Sequence, residues 1–309
     1  MRAVMIEKTA GPDVLTVGHR PVRAAAKGEV RILVKAAAVN PTDVLVRQRG
    51  AGKMPAPWVP GMDAAGTIES VGEGVDRLAV GDEVMATCTP QRPEGGAQIE
   101  LLVLPAASVV KIPDGASLAQ ASTLPMNGLT ALLGLELLGL KPGQTLAVSG
   151  GAGLLAYYVI VLAKKQGLKV IADAKPSEVD LVRGYGADTV VARGEKFCDE
   201  ILAAVPGGVD AMYDTALLHE AAYPAIKDGG AIAVVRGWDG RPTPRGIVVH
   251  AVMVSDVLER TEWLEQLRDL ASKGDIKLRV AGEYPISRAA DAHIAMDAGG
   301  LRGRAVLVF

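Results

Sequence analysis

Residues 148–156, Val-Ser-Gly-Gly-Ala-Gly-Leu-Leu-Ala, carry the most readable chemistry in this sequence. Gly151, Gly153 and Ala156 stand at the spacing G-x-G-x-x-A. A short apolar run suited to a strand, Thr145–Val148, precedes them, and an apolar stretch of helical length, Leu154–Gln166, follows. Strand, glycine turn and helix in that order build the phosphate site of a dinucleotide-binding domain. Gly151 is expected to permit the tight turn. Gly153, having no Cβ, lets a pyrophosphate approach the backbone, and Ala156 lets the helix lie close to the strand. Ala152, Leu154 and Leu155 complete the cradle, where a helix N-terminus offers free N–H groups and a positive dipole end. An isolated turn of this kind is also an ordinary structural feature; the flanking strand and helix favour the phosphate reading.

The residues beyond the turn leave the dinucleotide type open. Asp173 ends the next apolar segment, where an acid ordinarily hydrogen-bonds a free ribose hydroxyl and disfavours a 2′-phosphate. Lys175 and Arg183 follow, and either cation can pair with a phosphate.

The elements that position these residues change along the chain. Val30–Ala36, Ala64–Val71 and Leu101–Leu104 read as short strands launched by Gly28-Glu29-Val30 and Gly81-Asp82-Glu83-Val84, in the manner of a partly open barrel. Beyond Ala119, strand-like segments (Thr145–Val148, Lys169–Ala172, Thr189–Val191, Ala211–Tyr213, Ala231–Val235) alternate with helical ones. The helical stretches are Leu154–Gln166, Ser177–Tyr185, Lys196–Ala204 and His219–Ile226. That rhythm predicts a doubly wound parallel sheet. Ile247–Val254 reads as one more strand. Ser255 is expected to cap a helix bearing Trp263, Leu267 and Leu270, and Ser287 another, before a last strand, Ala305–Phe309, returns to the first domain.

Composition narrows the class. The chain has 309 residues, 49% hydrophobic, with 36 glycines, 4% aromatic residues and a net charge of −2, as in a well-buried α/β protein of about two domains. No Lys/Arg run points to nucleic acid or an anionic membrane. No apolar run reaches membrane-spanning length. Cys88 and Cys198 form no CxxC pair, so neither a zinc ribbon nor a disulfide framework is indicated, and a reduced cytoplasmic setting is expected.

Several segments together resemble one family. They are Val39-Asn40-Pro41-Thr42-Asp43 with Arg47, Pro60-Gly61-Met62-Asp63-Ala64-Ala65-Gly66, Val71–Val75, Val80–Val84, Gly128-Leu129-Thr130-Ala131, Lys141-Pro142-Gly143, the glycine turn, Tyr185–Asp188 and Gly303–Leu307. Their order and spacing are similar to those of the zinc-independent medium-chain dehydrogenase/reductases, in the NADPH:quinone oxidoreductase (zeta-crystallin-like) branch. The resemblance implies an α/β chain with a GroES-like β-barrel catalytic domain (1–120, completed by 261–309) around a Rossmann domain (121–260), with an active site in the cleft between them. It also implies a two-fold homodimer formed through the Ile247–Val254 edge strand.

Zinc members of the superfamily place a cysteine at the position of Asn40, a His-Glu pair at Met62-Asp63 and a cysteine near Met126. Those sulfur and imidazole ligands are missing here, as is the four-cysteine lobe, so no metal is expected. Without a Lewis acid, hydride transfer needs an intrinsically electrophilic acceptor, such as a quinone or an alkene conjugated to a carbonyl. Asn40 resembles the family asparagine near the nicotinamide or substrate, although it could equally cap a turn before Pro41. Asp43 is a weaker catalytic candidate that could instead pair with Arg47. Asn127 precedes the Gly-Leu-Thr-Ala turn, Thr130 matches the family threonine beside the cofactor, and Arg304 joins the cofactor set through its segment. His250 is more readily structural than catalytic. Two departures stand out: Gly50-Ala51-Gly52-Lys53 lacks the family's substrate-side tyrosines, and Leu154 replaces a common glycine. The expectation is an NADPH-dependent (less readily NADH-dependent) reductase of small quinone-like molecules. An enoyl or enone reductase and a non-catalytic NADPH-binding redox sensor are the alternatives.

Overall fold

In the computed structural model, which describes residues 1–309, period-two burial turns the front of the chain into strands. These are β1 (Arg2–Ile6), β2 (Leu15–His19) and β3 (Glu29–Ala38). Along β3, Val30, Ile32, Val34 and Ala36 are buried, whereas Leu33 and Lys35 among them are exposed. Next come α1 (Pro41–Arg49), β4 (Asp63–Val71), β5 (Glu83–Thr87), β6 (Leu101–Pro105), β7 (Val109–Lys111), α2 (Leu118–Ala121) and α3 (Pro125–Leu138). Pro41 suits the first position of α1, because its fixed φ is helical and its missing N–H needs no partner.

The middle of the chain holds β8 (Thr145–Ser149), α4 (Leu154–Lys165), β9 (Lys169–Ala174), α5 (Val179–Gly184), β10 (Thr189–Ala192), α6 (Phe197–Ala204), β11 (Val209–Asp214), β12 (Ile226–Val234) and β13 (Val248–Ala251). The chain ends with α7 (Thr261–Ser272), β14 (Val280–Pro285), α8 (Ala289–Ala298) and β15 (Arg304–Val308). No helix is long and apolar enough to cross a membrane.

Residues 1–126 and 255–309 form one compact unit, and residues 127–254 form another. The first unit is built on a seven-stranded sheet of order β14-β15-β3-β4-β5-β7, with β6 also paired to β3 and β1-β2 as a separate ribbon. Its core gathers Val30, Ile32, Val34, Ile68, Val84, Leu102 and Leu104. The last strand does return here: β15 pairs antiparallel with β3, Val306 opposite Ala38. The second unit is a six-stranded sheet of order β10-β9-β8-β11-β12-β13, parallel throughout. Its order reverses between β8 and β11, the switch point at which open α/β sheets bind ligands beyond the carboxyl ends of their strands.

Four sequence expectations are corrected. Residues His219–Ala225 form a 3-10 stretch and not an α-helix; Pro224 lies within it, and a proline both removes a helical N–H and clashes with the preceding turn. The strand expected over Ile247–Val254 pairs only from Val248 to Ala251, with the Val252 N–H still reaching Val234, where its partner β12 ends. Ser255 lies in a 3-10 turn, Val254–Val257, and α7 starts at Thr261 after Arg260; its buried seam is Leu264 and Leu267, while Trp263 is half-buried under the Arg260 guanidinium. Ser287 lies in a short 3-10 turn that precedes α8.

Candidate active site

In the second unit, the turn after β8 divides its geometry among three glycines. Gly150 takes the left-handed backbone (φ +70°), so the tight turn falls there and not at Gly151. Gly151 serves a different need: a Cβ on it would lie 2.4 Å from the Asp173 carbonyl oxygen. Gly153 donates its N–H to the Gly150 carbonyl (2.8 Å) and is the N-cap of α4. A Cβ on Gly153 would meet only that carbonyl, at 3.1 Å. The first N–H groups of a helix have no intrahelical partners, so the start of α4 supplies donors for an anion. Ala152 and Leu154 are buried, Leu154 as the first residue of α4, and Ala156 is fully buried.

Asp173 closes the other side of this turn. Its Oδ1 accepts the Gly151 N–H at 2.8 Å, and its Oδ2 lies 3.7 Å from Nε of Arg193. Burial raises its pKa, opposed by the Gly151 N–H and Arg193. Arg193 reaches Asp173 because β9 and β10 run parallel with Val191 opposite Asp173. Lys175 is exposed, and Arg183 is exposed and paired with Asp180.

Ser149 and Asp214, partners in the β8–β11 register, tie the two strands at the switch point. The Ser149 hydroxyl donates to Asp214 Oδ1 at 2.6 Å, and both side chains are fully buried. Asp214 Oδ2 accepts the His219 N–H at 2.9 Å, and Thr215 Oγ1 donates to the Ser149 carbonyl at 2.6 Å. Leu217 and His219 beside them hold positive φ (62° and 49°), a conformation costly for side-chain-bearing residues.

Asn127 and Thr130 are buried on α3; Gly-Leu-Thr-Ala is helix there, not a turn. The Thr130 carbonyl accepts the Tyr213 hydroxyl at 2.6 Å. His250 is half-buried in β13, and burial lowers its pKa.

In the first unit, Asn40, Asp43, Asp63 and Arg304 form a buried polar cluster. The Asn40 amide donates from Nδ2 to Asp63 Oδ2 (2.7 Å) and accepts at Oδ1 from Arg304 Nε (2.7 Å). Asp63 Oδ1 accepts the Met126 N–H at 2.7 Å. Asp43 accepts the backbone N–H groups of Asn40 (2.7 Å) and Gly61 (2.9 Å). The expected Asp43–Arg47 pair does not form: Arg47 binds Asp297 (2.5 Å) and the Ala10 carbonyl instead. Burial pushes both Asp43 and Asp63 up to about 7, and in Asp63 the negative charge of Asp43 adds to the effect.

These residues do not fit a catalytic zinc. Of Asn40, Met62, Asp63 and Met126, only Asp63 offers an anionic donor, and both its oxygens already accept protein hydrogen bonds. Nowhere in the chain do three or more His, Cys, Asp or Glu side chains gather for a metal.

Comparison with known proteins agrees with this geometry. Residues 26–114 match the alcohol dehydrogenase GroES-like domain, and residues 185–307 match the zinc-binding dehydrogenase model. Over 99% of its length the chain is 32% identical to the NADPH-dependent alkenal/one oxidoreductase of Arabidopsis thaliana chloroplasts, covering 79% of that protein. The chain belongs to the medium-chain dehydrogenase/reductases. It is also 28% identical to the quinone oxidoreductase of Mus musculus, over 95% of this chain and 93% of that one. A mycobacterial protein solved with NADPH superposes with a TM-score of 0.87 at 27% identity, over the full length of both chains. The family fold is a GroES-like domain with a Rossmann domain, and its members are oxidoreductases.

The structure thus gathers Gly151, Gly153 and Asp173 at one turn, and Asn40, Asp43 and Arg304 in one buried cluster. Sequence reasoning missed Arg193, Ser149, Asp214 and Asp63 as a hydrogen-bond partner. A signal existed for two of them, since Ser149 and Asp214 each end an apolar segment of the βα region.

Proposed function

We propose that this protein transfers a hydride from NADPH to a quinone or a similar carbonyl-conjugated acceptor without zinc. The observation that carries the reading is the Gly150–Gly153 turn opening α4 at the switch point. The family supports it, with relatives named for quinone and alkenal/one oxidoreduction and a structural neighbour solved with NADPH. Residues 1–120 and 261–309 serve as the catalytic domain and 121–260 as the dinucleotide domain.

Bound NADPH supplies the hydride. The turn and the start of α4 would hold its pyrophosphate, with Gly151, Ala152, Gly153, Leu154 and Leu155 as the cradle. Lys175 and Arg193 would supply the positive charge for its 2′-phosphate; Asp173 is partly neutralised by Arg193 and engaged with Gly151, which weakens its case as a ribose ligand. Asn40 is held in one amide orientation between Asp63 and Arg304 and acts on the nicotinamide side, with Asp43 fixing the start of α1 beneath it. Asn127 and Thr130 contribute from α3. The protein works in the cytoplasm as a two-fold homodimer joined through β13, an edge strand with Val248 half-exposed.

The relative from Arabidopsis favours a second reading, reduction of the C=C bond of an enone. NADPH oxidation followed with a panel of quinones and enones tests both. Turnover with quinones but not enones supports the first reading, loss of alkene absorbance supports the second, and no NADPH consumption with any acceptor refutes both.

A further inference from the structure

A cavity of about 330 Å³ in the first unit is lined by none of the residues assigned above. It is lined by Arg20 and Arg92, by Met54, Trp58 and Val59, and by four prolines: Pro55, Pro57, Pro90 and Pro93. No acidic side chain lines it.

Its walls are fixed in place. The Trp58 indole donates to the Met54 carbonyl at 2.7 Å, and its ring edge lies against Gly50, where a Cβ would come within 2.9 Å. Gly95 sits so close to Val59 that its Cβ would lie 2.6 Å from that side chain. Proline rings and an indole anchored at both ends give flat, apolar, low-entropy surfaces suited to a planar ring.

The charge of the cavity is uncompensated at one point. Arg20 bridges the two walls through the carbonyls of Pro57 (3.4 Å) and Pro93 (3.1 Å) and has no carboxylate partner. A guanidinium carries five N–H donors, so three remain for a ligand. Arg92 binds the Val103 carbonyl (2.6 Å) and Glu94 (3.3 Å), and its Nη1 is buried without a partner. A carboxylate matches a guanidinium fork in shape and charge better than any neutral group.

We propose that this cavity binds a small aromatic carboxylate, its ring against Trp58 and the prolines and its carboxylate on Arg20. The proposal stands whether or not the oxidoreductase reading holds. Isothermal titration of the full chain with 2-naphthoate tests it, with 2-naphthylmethanol as an uncharged analogue and inorganic phosphate as an anion without a ring. The expected result is one saturable site for naphthoate, quenching of Trp58 fluorescence that is lost in Trp58→Phe, and affinity about tenfold or more lower for the alcohol and for phosphate. Arg20→Met should reduce naphthoate affinity by a similar factor, with Arg20→Lys recovering part of it. Equal binding of naphthoate and the alcohol, equal binding of phosphate, unchanged affinity in a folded Arg20→Met protein, displacement by NADPH or no saturable binding would each overturn the proposal. The comparison of naphthoate with the alcohol decides the matter on the native protein, even if Arg20→Met does not fold.

Discussion

Asn40 and Asp63 meet through a 2.7 Å hydrogen bond from amide Nδ2 to carboxylate Oδ2, and both side chains are fully buried. The same amide accepts from Arg304, so one neutral side chain bridges a buried carboxyl and a buried cation. This is a costly arrangement to interrupt, because a buried polar group that loses its partner keeps its desolvation penalty.

Asn40→Leu should therefore destabilise the first unit by about 1–3 kcal/mol for each group left short of a bond, Asp63 and Arg304. Urea unfolding of the variant against the native protein measures this. A loss below about 0.5 kcal/mol, the size of an ordinary surface change, would show that the bridge contributes nothing.

His293 predicts a pH dependence with a definite sign. It is fully buried, and burial together with the Arg47 charge lowers its pKa from 6.5 to about 3. The folded protein therefore keeps the ring neutral where the unfolded chain protonates it. Its contribution is complete above pH 6.5 and is lost as pH falls towards 3. Between pH 7 and pH 5 the native protein should lose about 2 kcal/mol more stability than His293→Gln does. Asp43 and Asp63 act oppositely: pKa values raised to about 7 favour the folded state in acid and less so as pH rises from about 4 to 7. Both proteins retain those carboxylates, so their effect cancels in the comparison. Parallel stability curves for the two proteins would refute the His293 assignment.

The phosphate turn separates folding from binding. Gly151→Ala would drive a Cβ to 2.4 Å from the Asp173 carbonyl and should cost stability. Gly153→Val meets only the Gly150 carbonyl, near 3.1 Å, so the fold should survive. It places a branched side chain where the pyrophosphate approaches and should raise the NADPH dissociation constant about tenfold or more, roughly 1.4 kcal/mol. Circular dichroism and fluorescence titration read the two effects. Native NADPH affinity in folded Gly153→Val would move the cofactor elsewhere.

The glycine turn and the alternation of strands and helices were legible in the sequence because both are local. The division of labour between Gly150 and Gly151 was not, since adjacent glycines read alike until the backbone shows which one has positive φ. Asp63 and Arg304 stand 23 and 264 residues from Asn40, and only the β4 and β15 pairings with β3 draw such distant groups together. Arg193 escaped notice for the same reason, since its approach to Asp173 depends on the β9–β10 register. The stretch at His219 has helical length, but Pro224 within it removes an N–H and keeps it 3-10.

The dimer reading makes a prediction about mass. β13 ends the second unit's sheet and carries Val248, 50% exposed, with Met253, 54% exposed, just beyond it. Uncovered apolar edges tend to pair. Light scattering should give twice the 32.0 kDa chain mass, and Val248→Lys should shift the protein towards monomer without unfolding it. A monomeric native protein at micromolar concentration would sink the dimer.

Cofactor choice rests on the balance of charge around Asp173. If the 2′-phosphate sits between Lys175 and Arg193, removing either cation should weaken NADPH by about 1.5–3 kcal/mol, as for a hydrogen bond to a charged group. NADH lacks that phosphate, so Lys175→Ala should leave its affinity nearly unchanged. Arg193→Ala should affect NADH slightly, because it also unpairs Asp173, whose carboxylate holds the Gly151 N–H. Asp173→Asn separates the two roles: its amide oxygen can still accept from Gly151 while the negative charge is gone, so it should favour NADPH further. Paired titrations of the three variants with both dinucleotides give the comparison. A native protein that already binds NADH more tightly, or a Lys175→Ala variant that loses both dinucleotides equally, would mean that Asp173 selects a free ribose hydroxyl and that the two cations serve only the surface.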